Sequence, residues 1–221
     1  MKVWLAGLVL LAHFVPSPAN PGGPRQEISF HFESAFAPVP DYTIAVNADG
    51  TGKYWTGAYP ADESVTPKRV AALTITAPTV AKIFAAKEFI VPDKCETHLK
   101  NIAKTGKKTF TYRDNDQVTL CVFNYSDDER INAVAAAFQE IAFALQEGEK
   151  LKHDHRFDHL GLDADLDALL AAAKDGNVIE LQNIAPVLQS IVDDDEIMSP
   201  SRRKAKSLLE LAGIQTPASA R

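Results

Sequence analysis

Polar and apolar residues alternate in short stretches of the N-terminal half, and alternation at period two predicts half-buried strands. Residues 28–33 read Ile-Ser-Phe-His-Phe-Glu. Residues 42–46 and 51–56 flank Asn47-Ala48-Asp49-Gly50, whose Asp-Gly pair favours a hairpin turn. Residues 69–75 form a fourth β-rich run, and 108–113 with 118–125 form a second hairpin around Asp114-Asn115-Asp116. Between these groups Thr76 stands as an N-cap with Pro78 in the first turn. The helix it opens is expected to bury Val80, Ile83 and Phe84 and to fade near Phe89.

The period then changes. From Asp128 to about Lys152, apolar residues fall at Ile131, Val134, Ala135, Phe138, Ile141, Ala142 and Leu145. Spacings of three and four make one helical stripe, suited to lie across a sheet. Three shorter helices follow. Asp163 caps the first, which carries Leu166, Leu169 and Leu170 and closes at Gly176. The second spans about 179–192, with Ile184, Val187, Leu188 and Ile191 inward and a kink at Pro186. The third starts at Ser199-Pro200, turns Leu208 and Leu209 inward and stops at Gly213. The expected fold is α+β. Residues 27–152 form a mostly antiparallel sheet of five to six strands covered by two helices. Residues 160–213 form a small C-terminal bundle of three helices, and 214–221 a disordered tail.

The extreme N-terminus has a pattern of its own. Lys2 precedes an apolar run over 3–15, broken only by His13, then Pro16 and Ser17-Pro18-Ala19. That layout predicts a signal peptide over 1–19, cleaved after Ala19. The run falls short of the ~20 apolar residues of a membrane-spanning helix. The expectation is a soluble, secreted or periplasmic mature protein with a flexible Pro/Gly spacer over 20–26. Export also gives meaning to the cysteines. The chain has two, Cys95 and Cys121, with no CxxC pair. In an oxidising compartment such a pair is expected to join. The bridge is worth roughly 3–4 kcal/mol in the chain-entropy picture.

The formal net charge is −6, and the acidic excess lies beyond residue 126. That argues against nucleic acid and anionic lipid as partners. The basic run Lys94, Lys100, Lys104, Lys107 and Lys108 reads as a solvated face. Asn124-Tyr125-Ser126 fits a glycosylation acceptor, relevant only in a eukaryotic secretory route. Tyr42, Tyr54 and Trp55 suggest an aromatic strip, but Tyr54 and Trp55 are adjacent on a strand and must face opposite ways.

One segment is rich in metal-ligand residue types: His153, Asp154, His155, Arg156, Phe157, Asp158 and His159. On a continuous helix His155 and His159 share a face at i, i+4, the spacing that brings two imidazoles to one zinc. No HExxH pattern is present, and no third ligand is identifiable. Asp163, Asp165 and Asp167 imitate the start of a calcium loop, but Ala168 and Lys174 occupy the positions that need Gly and Glu. They fit a helix N-terminus better. No nucleophile elbow, P-loop or dinucleotide fingerprint occurs. No catalytic residue, cofactor site or metal site is therefore assigned.

Residues 42–54, Tyr-Thr-Ile-Ala-Val-Asn-Ala-Asp-Gly-Thr-Gly-Lys-Tyr, resemble a family of bacterial exported domains of unknown function. In that family a YTVxVxxDG hairpin precedes a helix, a second hairpin and a closing helix. The resemblance spans about residues 28–147. It implies fold and export, and it brings no active residues with it. The expected function is a non-enzymatic envelope or periplasmic protein that binds a protein or polymer partner. The alternative is a metal-dependent or hydrolytic enzyme using the segment 153–159. Intact, unreduced protein is expected to show no thiol reactive toward a maleimide; rapid labelling of Cys95 or Cys121 would refute the bridge.

Overall fold

A computed structural model describes residues 26–57 and 70–215. The leader, nearly all of the spacer, part of the polar loop after the third strand, and the end of the tail lie outside these residues. Six strands form: β1 (Gln26–Glu33), β2 (Asp41–Asn47), β3 (Thr51–Thr56), β4 (Ala71–Thr74), β5 (Lys107–Asp114) and β6 (Gln117–Phe123). They make one sheet in the order β4-β3-β2-β1-β5-β6, every neighbouring pair antiparallel. The first four strands are a meander, and β5 returns to the free side of β1, so the first strand ends in the middle.

The alternation of β1 sets which face is buried. Ile28, Phe30 and Phe32 lie opposite Val46, Ile44 and Tyr42 of β2, and opposite Tyr112, Phe110 and Lys108 of β5. Helix α1 (Ala77–Phe84) buries Ile83, and α2 (Glu129–Phe157) crosses the sheet on the Phe30 face. Phe138 of α2 stacks on Phe30 with centroids 5.3 Å apart and lies 5.9 Å from Phe110. Tyr42 and Tyr54 share this face, 5.9 Å apart, while Trp55 is buried on the other. No continuous aromatic strip forms.

The α+β expectation holds, with six strands. Three details differ from the sequence reading. Helix α2 does not stop near Lys152 but runs through Phe157. Asp158, not Asp163, caps the next helix, α3 (His159–Lys174), by accepting the Gly161 N–H at 2.9 Å. Asp158 closes α2 with its backbone N–H, which donates to Asp154 O at 2.8 Å, and opens α3 with its carboxylate, with no linker between them. Gly161 is needed there because a Cβ would sit 2.5 Å from Asp158 Oδ2. Pro186 causes no kink. It lies in the first turn of α4 (Ala185–Asp193), behind a 3₁₀ turn at Leu181–Ile184, where a missing N–H costs nothing. The last helix, α5 (Ser199–Leu211), ends before Gly213 at φ +75°.

The C-terminal helices share one hydrophobic core with the sheet. Helix α2 carries the join. Beyond its predicted stripe it also buries Ala137, Ala144, Gly148 and Leu151. Gly148 lets the 3₁₀ turn approach: a Cβ there would lie 2.4 Å from Ile184 Cγ2. Polar clamps complete the contact. Asn183 pairs with edge strand β4 as a further strand would, accepting from Thr74 N at 2.8 Å and donating to Thr74 O at 3.0 Å. The buried Glu180, at φ +60°, accepts from Thr76 N at 2.9 Å and Thr76 Oγ1 at 2.7 Å.

At the opposite edge Cys95 and Cys121 form a disulfide, with Cα atoms 6.0 Å apart and both residues buried. It ties the irregular 89–106 segment to β6. Asn124 holds the same segment through Thr105 N and Ala103 O.

Gly148→Ala is expected to lower stability by roughly 1–2 kcal/mol. Overpacking costs about 1–3 kcal/mol, and the helix-propensity gain over glycine returns only about 1 kcal/mol. Urea denaturation tests it: in an Ile184→Ala background the same substitution should cost little, and an undiminished cost there rules out the clash.

Candidate functional site

A cavity of about 1110 Å³ opens where the sheet's β3–β4 end, the second half of α2 and helix α4 meet. Its walls come from helical spacing. On α2, Leu145, Gln146, Glu149, Lys152, His155 and Arg156 line it; Pro186, Val187 and Ser190 of α4 and Asp194 at its C-cap do so from the other side. Tyr54 of β3 and Ile184 add apolar surface. Burial raises the Tyr54 hydroxyl above the usual tyrosine value, against a hydrogen bond with Gln146.

Of the histidine-rich segment, His155 alone among the histidines lines this cavity. Its Nε2 lies 2.9 Å from Asp194 Oδ2, and its Nδ1 lies 3.5 Å from Ser190 Oγ. Asp194 is held below the ordinary carboxylate range by the Glu196 backbone N–H, 2.9 Å from Oδ1, and then by His155. A carboxylate kept ionised only accepts, so Nε2 carries a proton toward it. In the neutral imidazole Nδ1 is then a bare acceptor facing Ser190. The ring itself is mostly enclosed, with 19% of its side-chain surface exposed.

The other histidines of the segment point elsewhere. His153 is exposed, bonds Asp154 at 3.0 Å and packs on Phe157. His159 turns back to the His155 carbonyl at 3.1 Å. The break at Asp158 destroys the i, i+4 geometry that would have aligned His155 with His159. Among the described residues no three His, Cys, Asp or Glu side chains converge in a way that could hold a metal ion. The aspartates of α3 are taken up by lysine partners. Asp163 takes Ser201 Oγ at 2.7 Å and Lys204 Nζ at 2.9 Å, which lower its pKa in that order. Asp165 pairs with Lys150, and Asp167 with Lys204, each at 2.5 Å.

The basic run forms no common face. Lys94, Lys100 and Lys104 are exposed, Lys107 pairs with Glu33 at 2.7 Å, and Lys108 is buried. Lys108 donates to Asn124 O at 2.7 Å and sits over the rings of Phe32 and Phe123; burial lowers its pKa.

Sequence reasoning did not find Ser190 and Asp194. They lie more than thirty residues after His155, and Asp194 belongs to an Asp-Asp-Asp run that reads as a helix stop. Ser190 lies on α4 and Asp194 at its C-cap, and nothing in their spacing alone marks them as a pair.

No family model matches the chain, and neither the curated proteins nor the solved structures contain a match.

Because the imidazoles diverge, calorimetric titration of the folded protein with zinc should give no saturable heat. Stoichiometric binding lost in both His155→Ala and His159→Ala would overturn that expectation.

Proposed function

We propose that this chain is an exported envelope or periplasmic protein that works by holding a segment of a protein or polymer partner in the cavity beside α2 and α4. The observation that carries the reading is the makeup of its walls. Tyr54, Leu145, Ile184 and Val187 offer apolar surface, and Glu149, Lys152, Arg156 and Asp194 supply charges of both signs. A concave site with apolar walls and a few polar groups is the ordinary form of a ligand site.

Export rests on the leader pattern over 1–19 and agrees with the paired cysteines. The hairpin resemblance to bacterial exported domains points the same way. No helix among the described residues is long and apolar enough to cross a membrane. The acidic C-terminal helices disfavour a nucleic-acid partner.

Expressed with its leader in a bacterial host, the protein should be recovered from the envelope fraction beginning at Asn20. A photo-crosslinking residue at Gln146, lining the cavity, should give a discrete adduct there, and one at exposed Lys206 on α5 should not. Adding Val187→Glu should abolish the Gln146 adduct. An adduct that survives Val187→Glu, or none at all, would refute the reading.

A further inference from the structure

We infer that Ser190, His155 and Asp194 form a nucleophilic relay that hydrolyses an ester with an apolar acyl group. The inference rests on the cavity being open to ligands, as proposed above, and adds chemistry to it. All three side chains line that cavity. Val187 and Ser190, three apart, share one face of α4, and Asp194 follows at its C-cap, where the chain leaves the helix. Val187 and Leu145 would take the acyl chain, which is why the acyl part is assigned as apolar.

The resting hydroxyl of Ser190 donates to Val187 O at 2.7 Å, and Nδ1 of His155 lies 3.5 Å from Ser190 Oγ. Rotation about the Cβ–Oγ bond alone redirects the proton from the carbonyl to Nδ1. A contact of this length is ordinary for a ligand-free relay and tightens when substrate is held. The ring is oriented for the task, because its Nε2–H is committed to Asp194. Ring orientation is reversed from the serine-protease arrangement, where Nε2 faces the serine; the chemistry requires only one accepting and one donating nitrogen.

The steps balance without any further reactant but water. Ser190 Oγ bonds to the ester carbonyl carbon while its proton passes to Nδ1. The imidazolium so formed is stabilised by Asp194. The carbonyl oxygen carries the negative charge, and Lys152 and Arg156 are the cations that line the same cavity. The intermediate collapses, the ester C–O bond breaks, and the alcohol leaves with the proton from Nδ1. Water then attacks the acyl-serine, gives a proton to Nδ1 and releases the acid as Ser190 regains that proton. Ser190 and His155 are the catalytic residues, and Asp194 is a positioning residue.

The full mature protein, disulfide intact, is treated with an alkyl fluorophosphonate, and the adduct is mapped by peptide mass spectrometry. One equivalent is expected on Ser190, none in Ser190→Ala, and labelling at least about 100-fold slower in His155→Ala, the scale of general-base assistance. Hydrolysis of p-nitrophenyl butyrate should fall alongside. Asp194→Asn should lower kcat with KM little changed, and Asp194→Glu should restore part of it. Circular dichroism of each variant checks the fold, and Ser190→Ala removes only one hydroxyl. Absence of label, label on another residue, or a rate indifferent to His155→Ala overturns the inference. The Gln146 crosslink in Ser190→Ala separates the two readings. If it persists while wild type takes no label, the relay falls and ligand binding stands. If it is absent from wild type as well, the binding reading falls first.

Discussion

The stacking of Phe138 on Phe30 fixes the position of α2, and most of the molecule is arranged by α2. One side of this helix closes the sheet. The other, through Ala144, Gly148 and Leu151, receives the C-terminal helices. A helix buried on two sides cannot show one narrow apolar stripe; small residues fill the second interface and let backbones approach. Gly148 is the tightest such point, with Ile184 resting where a side chain would begin. The cavity lies beyond that contact. Past Gly148 the surfaces of α2 and α4 diverge, and long polar side chains from Glu149 to Arg156 take the place of packing.

The two edges of the sheet are managed differently. At β4 the Asn183 amide satisfies both backbone groups of Thr74, with Gln182 also reaching Thr74 O, so side chains from the 3₁₀ turn do the work of another strand. An unpaired edge is a template for association, and covering it is one remedy. At β6 the disulfide and Asn124 hold the 89–106 segment alongside, while Val118, Leu120 and Val122 remain exposed on the face away from α2. The bridge replaces regular structure as the tether for a segment with few backbone partners of its own. Lys108 belongs to the same region. Its ammonium is enclosed by two aromatic rings and a carbonyl, which accounts for its burial despite its charge.

Several ion pairs join the helices. Lys204 links α5 to α3 through Asp163 and Asp167, and Lys150 links α2 to α3 through Asp165. The three aspartates that imitate a calcium loop are thereby neutralised by two lysines, Asp163 and Asp167 sharing Lys204. His155 and Asp194 make a comparable link between α2 and the end of α4, and this one faces the cavity. A link inside an open site leaves a ring nitrogen accessible to whatever enters, and that separates it from the links on the outer surface.

Much of the fold was legible in the sequence. Strand alternation is a local consequence of the pleat, so Ile28, Phe30 and Phe32 declared their face without reference to the rest of the chain. The same holds for Pro78 and Thr76 at the start of α1, for Gly213 after α5, and for the pairing of the only two cysteines. Tertiary structure decided what depends on residues far apart. Helix α2 extends to Phe157 because Leu151 and Asp154 are buried, and Asp158 breaks it by capturing Gly161. That break separates His155 from His159 and dissolves the metal pattern read at i, i+4. Packing of α4 on α2 then gives His155 the partners Ser190 and Asp194, a juxtaposition set by interhelical geometry and by no local spacing. The sequence by itself determined which faces are apolar and where α1, α2 and α5 begin, since those are short-range matters of period and capping. Which polar side chains meet was decided only when the helices docked.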